Sequence, residues 1–358
     1  MVADSRKVIA LTGGGTAGHV MPHLAIIPYL EDRGWEVFYI GSKGVEKSLI
    51  AKTNVEYFEV AAGKLRRYFS FQNFLDIFKV SLGLLQSILI VGRKKPSIVF
   101  SKGGFVSVPV AVAAWLFKIP VVSHESDLSP GLANRIISKF ATKILLSFPE
   151  SSSLGPRSVL TGLPIRASLF GGDRLKGLDY LGLDGSKPVI LIMGGSLGAQ
   201  KINNLVANNI DRLLEVFHIV HVTGAGKELD LVRSGYVQFS FIADIEHLFA
   251  AADCVISRSG ANSIFEFLAL QLPMLLIPLE SGSRGDQVEN ALCFASQGWA
   301  KVARESELTD ESFVLAALSL YNDREVISSK QAAFAAGSCS IDKVICELES
   351  CLKIGKQA

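Results

Sequence analysis

Twice in this chain an apolar strand runs into a cluster of glycines that opens directly onto a helix. The first unit is Lys7–Thr12, then Gly13-Gly14-Gly15-Thr16-Ala17-Gly18-His19, then a helical pattern over Met21–Asp32 with Pro22 in its first turn. The second is Val189–Met193, Gly194-Gly195-Ser196-Leu197-Gly198-Ala199, then Lys201–Leu214. Such units build parallel sheets, and the restart predicts two similar α/β halves rather than one long sheet. Glycines admit a ligand close to the backbone and a helix start favours negative charge, so each loop is a candidate phosphate cradle. Neither loop has the GxGxxG spacing of dinucleotide enzymes. Glu36, moreover, is read as preceding its strand (Val37–Ile40) instead of ending it. A nicotinamide dehydrogenase is a poor fit.

Asp253–Asn290 reads as strand, turn, helix, strand, polar loop, helix. Cys254–Ser257 is a β-branched run, Arg258–Ala261 a small-residue turn, Asn262–Gln271 a helix ended by Pro273, and Met274–Ile277 a buried strand. Backbone N–H groups near Ala261 suit an anion. Glu266, one turn on, suits vicinal ribose hydroxyls, and Asp286, Gln287 and Asn290 suit sugar hydroxyls. The same pattern would also serve a plain βαβ unit with a solvated loop. In the first half, strand ends present polar groups at His19, at Ser107 and at the cluster His124-Glu125-Ser126-Asp127. Ligands of open parallel sheets sit at the carboxyl ends of the strands.

Composition bounds the rest. With 358 residues, 49% hydrophobic and 20% charged, the chain suits two globular domains. Five scattered cysteines without a CxxC suggest neither a disulfide framework nor a metal site, and fit a reduced compartment. The N-terminus lacks signal-peptide architecture, and no run reaches the about 18 apolar residues of a membrane span. A net charge of +2 argues against a nucleic-acid binder, although residues 1–164 carry +8 and the remainder −6. Within the basic half, Phe69–Gly92 has the spacing of an apolar helix with a narrow polar stripe at Gln72, Asp76, Lys79, Gly83 and Gln86. A core helix between two layers is expected to bury most of that apolar surface. Contact of Arg66, Arg67, Phe69, Phe71 and Phe74 with anionic lipid is the alternative. Gly171–Lys187 reads as a polar linker, and Ser340–Leu352 as an amphipathic helix able to pack on the first domain.

Seven segments in this order resemble the bacterial MurG glycosyltransferases: GGGTAGHVMP (13–22), SKGGFVSVP (101–109), HESDLSPGLANR (124–135), TGLPIR (161–166), GGSLGA (194–199), SRSGANSIFE (257–266) and GDQVENA (285–291). The resemblance covers nearly the whole chain. It implies the GT-B fold, two Rossmann-like doubly wound domains facing across a cleft. Residues 1–164 would form an acceptor- and membrane-facing domain, 165–339 a domain for UDP-N-acetylglucosamine (UDP-GlcNAc), and helix 340–358 would return to the first. It implies inverting transfer of GlcNAc to the 4-hydroxyl of MurNAc-pentapeptide-pyrophosphoryl-undecaprenol, in peptidoglycan synthesis. The expected place is the cytoplasmic side of the cell membrane, with no metal cofactor.

By position, the resemblance assigns Gly195 and Ser196 to the donor diphosphate with Arg166 nearby, and the Ile242 backbone to uracil. Arg258, Ala261, Asn262 and Ser263 would line the diphosphate and sugar. Glu266 would take the ribose, and Gln287 and Asn290 the GlcNAc. Thr16, Ala17, Gly18 and His19 lie at the cleft, with His19 the first candidate for general base and His124 and Glu125 the second. The chain departs from relatives at Ser126-Asp127, where many carry Gln-Asn, at Asp286, where some carry glutamine, and at Phe105, a tyrosine elsewhere. The roles of Asp127 and Asp286 stay open. Other readings are a glycolipid-forming transferase, a UDP-sugar epimerase that needs no acceptor, and a docking subunit that binds without turnover.

Overall fold

The computed structural model describes residues 7–63, 71–149, 151, 155–195, 198–242, 244–281, 284–335 and 340–354. The chain divides into two compact units, Met1–Arg166 with Cys339–Ala358, and Ala167–Ser338.

In unit 1 the strands are β1 (Lys7–Gly13), β2 (Trp35–Gly41), β3 (Glu56–Glu59), β4 (Ile98–Gly103), β5 (Val121–Glu125), β6 (Lys143–Leu146) and β7 (Ser158–Leu160). They form one parallel sheet in the order β3-β2-β1-β4-β5-β6-β7. The order reverses between β1 and β4, which opens a crevice at the strands' carboxyl ends. Central strands are buried along their length, as a sheet covered on both faces requires. The covering helices are α1 (Met21–Asp32), α2 (Val45–Ile50), α3 (Phe71–Lys94), α4 (Ser107–Leu116) and α5 (Leu132–Ile137). Glu36 proves to be the second residue of β2. It still sits at the amino end of the strand, so the argument against a dinucleotide acid stands.

Unit 2 repeats the plan with β8 (Val189–Met193), β9 (His218–Val222), β10 (Tyr236–Phe239), β11 (Cys254–Ser257), β12 (Met274–Leu276) and β13 (Ala300–Val302), ordered β10-β9-β8-β11-β12-β13. Its helices are α6 (Arg174–Leu181), α7 (Gln200–Leu214), α8 (Glu246–Ala251), α9 (Ala261–Ala269), α10 (Asp286–Ser296), α11 (Asp310–Asn322) and α12 (Arg324–Ala335). The segment read as a polar linker contains α6. Asp173 caps it, Gly182 closes it at φ 64°, and Gly177 lets it approach α8 so closely that a Cβ would lie 2.2 Å from His247 O. Packing, not propensity, makes that helix.

The last helix, α13 (Ser340–Ile354), belongs to unit 1. Ile341, Val344, Ile345 and Leu348 join the core beneath β1, and Arg33 pairs with Asp342 at 2.9 Å.

Helix α3 is inverted relative to the sequence expectation. Gly83, Ser87 and Val91 face inward and are buried, a Cβ at Gly83 would lie 2.1 Å from Ala61 O, and Gln86 Oε1 accepts from Ala61 N at 2.7 Å. The apolar residues Phe78, Leu82, Leu85 and Leu89 face outward, each at least half exposed. The core-helix reading therefore fails for this face, because close backbone approach selected the side without bulk. Arg66, Arg67 and Phe69 lie outside the described residues. Phe71 and Phe74 fall on α3, but their side chains also lie outside them.

Candidate functional site

Each unit carries polar side chains at the switch point of its own sheet. In unit 1, β1 ends in the glycine loop, and a 3-10 turn over Ala17–His19 leads into α1. The loop is tied from within. Buried Glu46, on α2, accepts from Gly15 N at 3.2 Å, from Ser42 N at 3.0 Å and from the Ser42 hydroxyl. A Cβ on Gly14 would collide with that carboxylate at 2.5 Å, and one on Gly104 (φ +83°) would meet Gly14 O at 2.3 Å. Glycine is required at both because two strand ends and a carboxylate share the space.

His19 Nδ1 lies 2.8 Å from Gly14 O and 3.2 Å from Thr16 Oγ1. A carbonyl can only accept, so the proton sits on Nδ1 and the lone pair on Nε2. His19 is half-buried beside exposed Gly15 and Thr16, with Ala17 and Gly18 half-buried. That is the tautomer and setting a general base needs.

The two second candidates are differently placed. They are the last residues of β5 rather than loop residues. His124 is wholly buried: Nε2–H donates to Gly162 O at 2.9 Å, and Nδ1 accepts from Lys102 Nζ at 2.6 Å. Burial, then the nearby Lys102 charge, hold its pKa well below the usual imidazole value. Glu125 accepts from Ser126 N (2.8 Å), Asp127 N (3.1 Å), Gly131 N (3.0 Å) and Asn134 Nδ2 (2.9 Å). Both side chains are engaged in hydrogen bonds within and beside the 124–131 turn, whereas His19 sits at a loop with exposed residues. Asp127 is half-buried within that turn. Ser107, another strand-end candidate, is buried and donates to Gly103 O at 2.7 Å. Arg166, half-buried, closes unit 1.

In unit 2, α7 and α9 begin at the carboxyl ends of the adjacent strands β8 and β11. Their N-cap residues, Ala199 and Gly260, have no side-chain acceptor, so neither helix start is capped by its own N-cap residue. Ala261 is the first residue of α9, with Asn262, Ser263 and Glu266 half-buried along its opening turns. Gly195 (φ +78°) lies in the loop before α7, while Ser196 is outside the described residues. Gly198 is pressed so tightly that a Cβ would lie 2.1 Å from Thr223 O, and Lys227 Nζ donates to Gly198 O at 3.3 Å.

Arg258 does not reach out from its turn. Only 8% exposed, it donates to Ile277 O (3.0 Å) and Pro278 O (3.2 Å) and pairs with buried Glu305. Its job is to brace the end of β12. Asn290 is also buried, its amide donating to Ser259 O at 3.3 Å. Gln287 sits at the start of α10, its Oε1 accepting from Leu279 N (3.0 Å) and its carbonyl from Ser259 Oγ (2.7 Å). Asp286 opens α10 and accepts from Arg284 N at 3.1 Å. Ile242 is half-buried beyond β10 at the sheet edge. Among the described residues no group of three or more His, Cys, Asp or Glu has the spacing to hold a metal ion.

Sequence reasoning missed Glu46, Lys102, Asn134 and Glu305. Lys102 and Asn134 fell inside the segments 101–109 and 124–135 without being singled out, and Glu46 and Glu305 carried no signal.

Residues 9–146 match the Glycosyltransferase family 28 N-terminal domain, and 189–345 its C-terminal domain. A UDP-N-acetylglucosamine--N-acetylmuramyl-(pentapeptide) pyrophosphoryl-undecaprenol N-acetylglucosamine transferase of Clostridium tetani is 47% identical over 350 residues, 95% of this chain and 97% of that protein. The protein of that name in Clostridium kluyveri is 50% identical over 310 residues, 85% and 88% of the two chains. The crystal structure of Acinetobacter baumannii MurG superposes with a TM-score of 0.74 at 24% identity, covering 96% of this chain and 99% of that one. The calicheamicin glycosyltransferase CalG4 gives 0.72 at 13% identity, covering 97% and 98%, which speaks to fold alone.

Proposed function

The chain belongs to glycosyltransferase family 28, among the MurG transferases, and from that premise we propose that it moves GlcNAc from UDP-GlcNAc to the 4-hydroxyl of undecaprenyl-pyrophosphoryl-MurNAc-pentapeptide. The observation that carries the chemistry is His19, whose Nδ1–H bond to Gly14 O leaves a lone pair on Nε2 at the exposed mouth of the loop. In this reading unit 1 takes the lipid-linked acceptor and unit 2 the donor. Nε2 removes the proton of the 4-hydroxyl as its oxygen bonds to the anomeric carbon, the C1–O bond to UDP breaks, and the configuration inverts.

The leaving diphosphate gathers charge as it departs. The uncapped starts of α7 and α9 are the groups available to meet it, a preorganised electrostatic arrangement. The sequence has no Asp-x-Asp pair of the kind that carries a metal–diphosphate complex. Undiminished transfer in excess EDTA is the expected result. Glu266 is assigned to the ribose, Asn262 and Ser263 to the diphosphate and sugar, Gln287 to GlcNAc, and the Ile242 backbone to uracil. Asn290 and Arg258 act from behind, by holding the turns that carry them.

Among the described residues no helix is long and apolar enough to cross a membrane. We place the protein peripherally, on the cytoplasmic face of the cell membrane. The support is the outward stripe Phe78, Leu82, Leu85 and Leu89 of α3, beside exposed Trp115, Leu116 and Phe117 at the end of α4, with exposed Lys79, Arg93, Lys95 and Lys118 around them. Apolar residues rimmed by cations suit an anionic bilayer surface.

The test is UDP release from UDP-GlcNAc with and without a lipid-linked muramyl-pentapeptide analogue. Acceptor-dependent release with a β-1,4-linked disaccharide as product is expected. Conversion of UDP-GlcNAc without acceptor would point to an epimerase, and binding without turnover to a docking subunit.

A further inference from the structure

Strands β1 and β4 run in register from Ile9↔Ile98 to Thr12↔Ser101, and then Gly13 pairs with Gly103. Lys102 is therefore an extra residue, a bulge at the carboxyl end of β4 beside the switch point. A bulge redirects a side chain that a regular strand would send elsewhere, and bulges recur beside active sites. Gly13 makes room for it: a Cβ there would lie 3.3 Å from Lys102 Cβ.

The redirected side chain is 1% exposed and ends on β5, with Nζ 2.6 Å from His124 Nδ1 and 2.7 Å from Ser126 Oγ. Both contacts have a defined direction. His124 spends its proton on Gly162 O, so Nδ1 must accept from Lys102. Among the described residues Lys102 forms no ion pair. The neighbouring Glu125 carboxylate is occupied by three backbone N–H groups and Asn134. A buried amine with no carboxylate is costly to fold around. Burial accordingly pulls its pKa from the ordinary 10.5 to about 7, against the attraction of Glu125 and Asp127. Packing alone would be served better by an apolar side chain of the same length.

We propose that Lys102 is a positioning residue of the acceptor-binding unit: from its bulge it fixes His124 and Ser126, and through them the 124–131 turn against which the acceptor docks. This rests on the reading above that unit 1 takes the acceptor. Glu125 clamps the inside of the turn, and Lys102 locks its first residues to the strand that adjoins the His19 loop. Ser126 supplies the short hydroxyl that this buried amine reaches.

The experiment compares wild type with Lys102→Met, which keeps length and loses the donors, and with Ser126→Ala, a mild truncation that retains the fold. Two readouts are taken: amide hydrogen exchange across 126–131 in the free protein, and separate KM values for UDP-GlcNAc and the lipid-linked acceptor analogue. Loss of both of the amine's hydrogen bonds should raise acceptor KM and speed exchange by about tenfold or more in Lys102→Met, and loss of one by about threefold in Ser126→Ala, with the UDP-GlcNAc KM unchanged. Unchanged exchange at 126–131, or donor and acceptor KM rising together, would overturn the proposal. Should Lys102→Met not fold, Ser126→Ala is judged by the same two criteria. A wild type with no acceptor-dependent turnover would sink the transferase reading instead. Lys102 would then stand if exchange in the variants is faster and fall if it is not.

Discussion

The two glycine loops share one local pattern and have opposite electrostatics. In unit 1 the loop is neutralised from inside the protein: the Glu46 carboxylate takes the Gly15 N–H, and the Gly14 carbonyl is used to orient His19. In unit 2 the helices beside the switch point start from Ala199 and Gly260, which have no side chain to cap them. Of the other helices in that unit, α6 is capped by Asp173 and α11 by Thr309 with Ser312 in a capping box, while α8 and α10 also start without a cap from their N-cap side chains. A strand–glycine–helix unit thus sets only a shape. Whether it serves as an anion cradle or as a mount for a base depends on what the rest of the chain places against it.

The largest effect should come from the base. His19→Ala removes Nε2 and should lower kcat by roughly 10²–10⁴-fold while leaving the UDP-GlcNAc KM nearly unchanged. Steady-state kinetics with saturating donor checks this, and full activity would remove His19 from the mechanism. Next is Gly198→Ala, which attacks the other loop. The added Cβ would meet Thr223 O at 2.1 Å on a residue with φ +67°, so the loop must move. Strain of about 1–3 kcal/mol predicts UDP binding weakened by about ten- to a hundredfold, with acceptor binding intact by calorimetry. If both substrates weakened equally, the division of labour between the loops would be wrong.

Much of this was legible in the sequence, and what was not has a common cause. The βα periodicity located the central strands and both loops because buried parallel strands and glycine turns write themselves locally. Glu46 was invisible: nothing in GVEKSL marks it, and only folding brings its carboxylate under a loop 31 residues away. Lys102 in SKGG was not singled out, since a bulge leaves no periodic trace. Helix α3 misled because Gly83 marks a close backbone contact, whereas apolar residues at helical spacing normally signal a core face. His124, Arg258 and Asn290 were singled out by motif, but a motif cannot say which side of a turn a side chain supports.

Glu46→Gln probes the inward neutralisation of unit 1. The amide replaces one acceptor oxygen with a donor facing Gly15 N or Ser42 N, at a cost of about 1–3 kcal/mol. A lower thermal midpoint and a several-fold smaller kcat are expected, with UDP affinity unchanged. Tighter UDP binding would mean that the unit 1 loop is a latent anion site and would erase the contrast. For the apolar face, Leu82→Lys with Leu85→Lys should leave turnover of a soluble acceptor analogue intact. Sedimentation with vesicles containing phosphatidylglycerol should fall by about tenfold, since the two exposed leucines would otherwise be buried in the interface.

The smallest effect is on stability and follows from the Lys102 amine. Its pKa is about 7 in the folded protein and 10.5 in a free side chain, so between those values the unfolded chain binds more protons than the folded one. Stability contributed at this position is therefore greatest above pH 10.5, declines as pH falls, and is lost once pH drops through 7. The groups that set the amine's environment are His124 on β5, Glu125 and Asp127 at the start of the turn, and His23 on α1, whose own pKa is held down by burial, Lys102 and His19. Lys102→Met removes the titration and leaves most of the volume. Its thermal midpoint should exceed that of wild type at pH 6.5, and the difference should shrink steadily towards pH 10. A gap that stayed constant across that range would show that the buried amine does not titrate there, while a variant less stable than wild type at every pH would show that Lys102 stabilises the fold rather than burdening it.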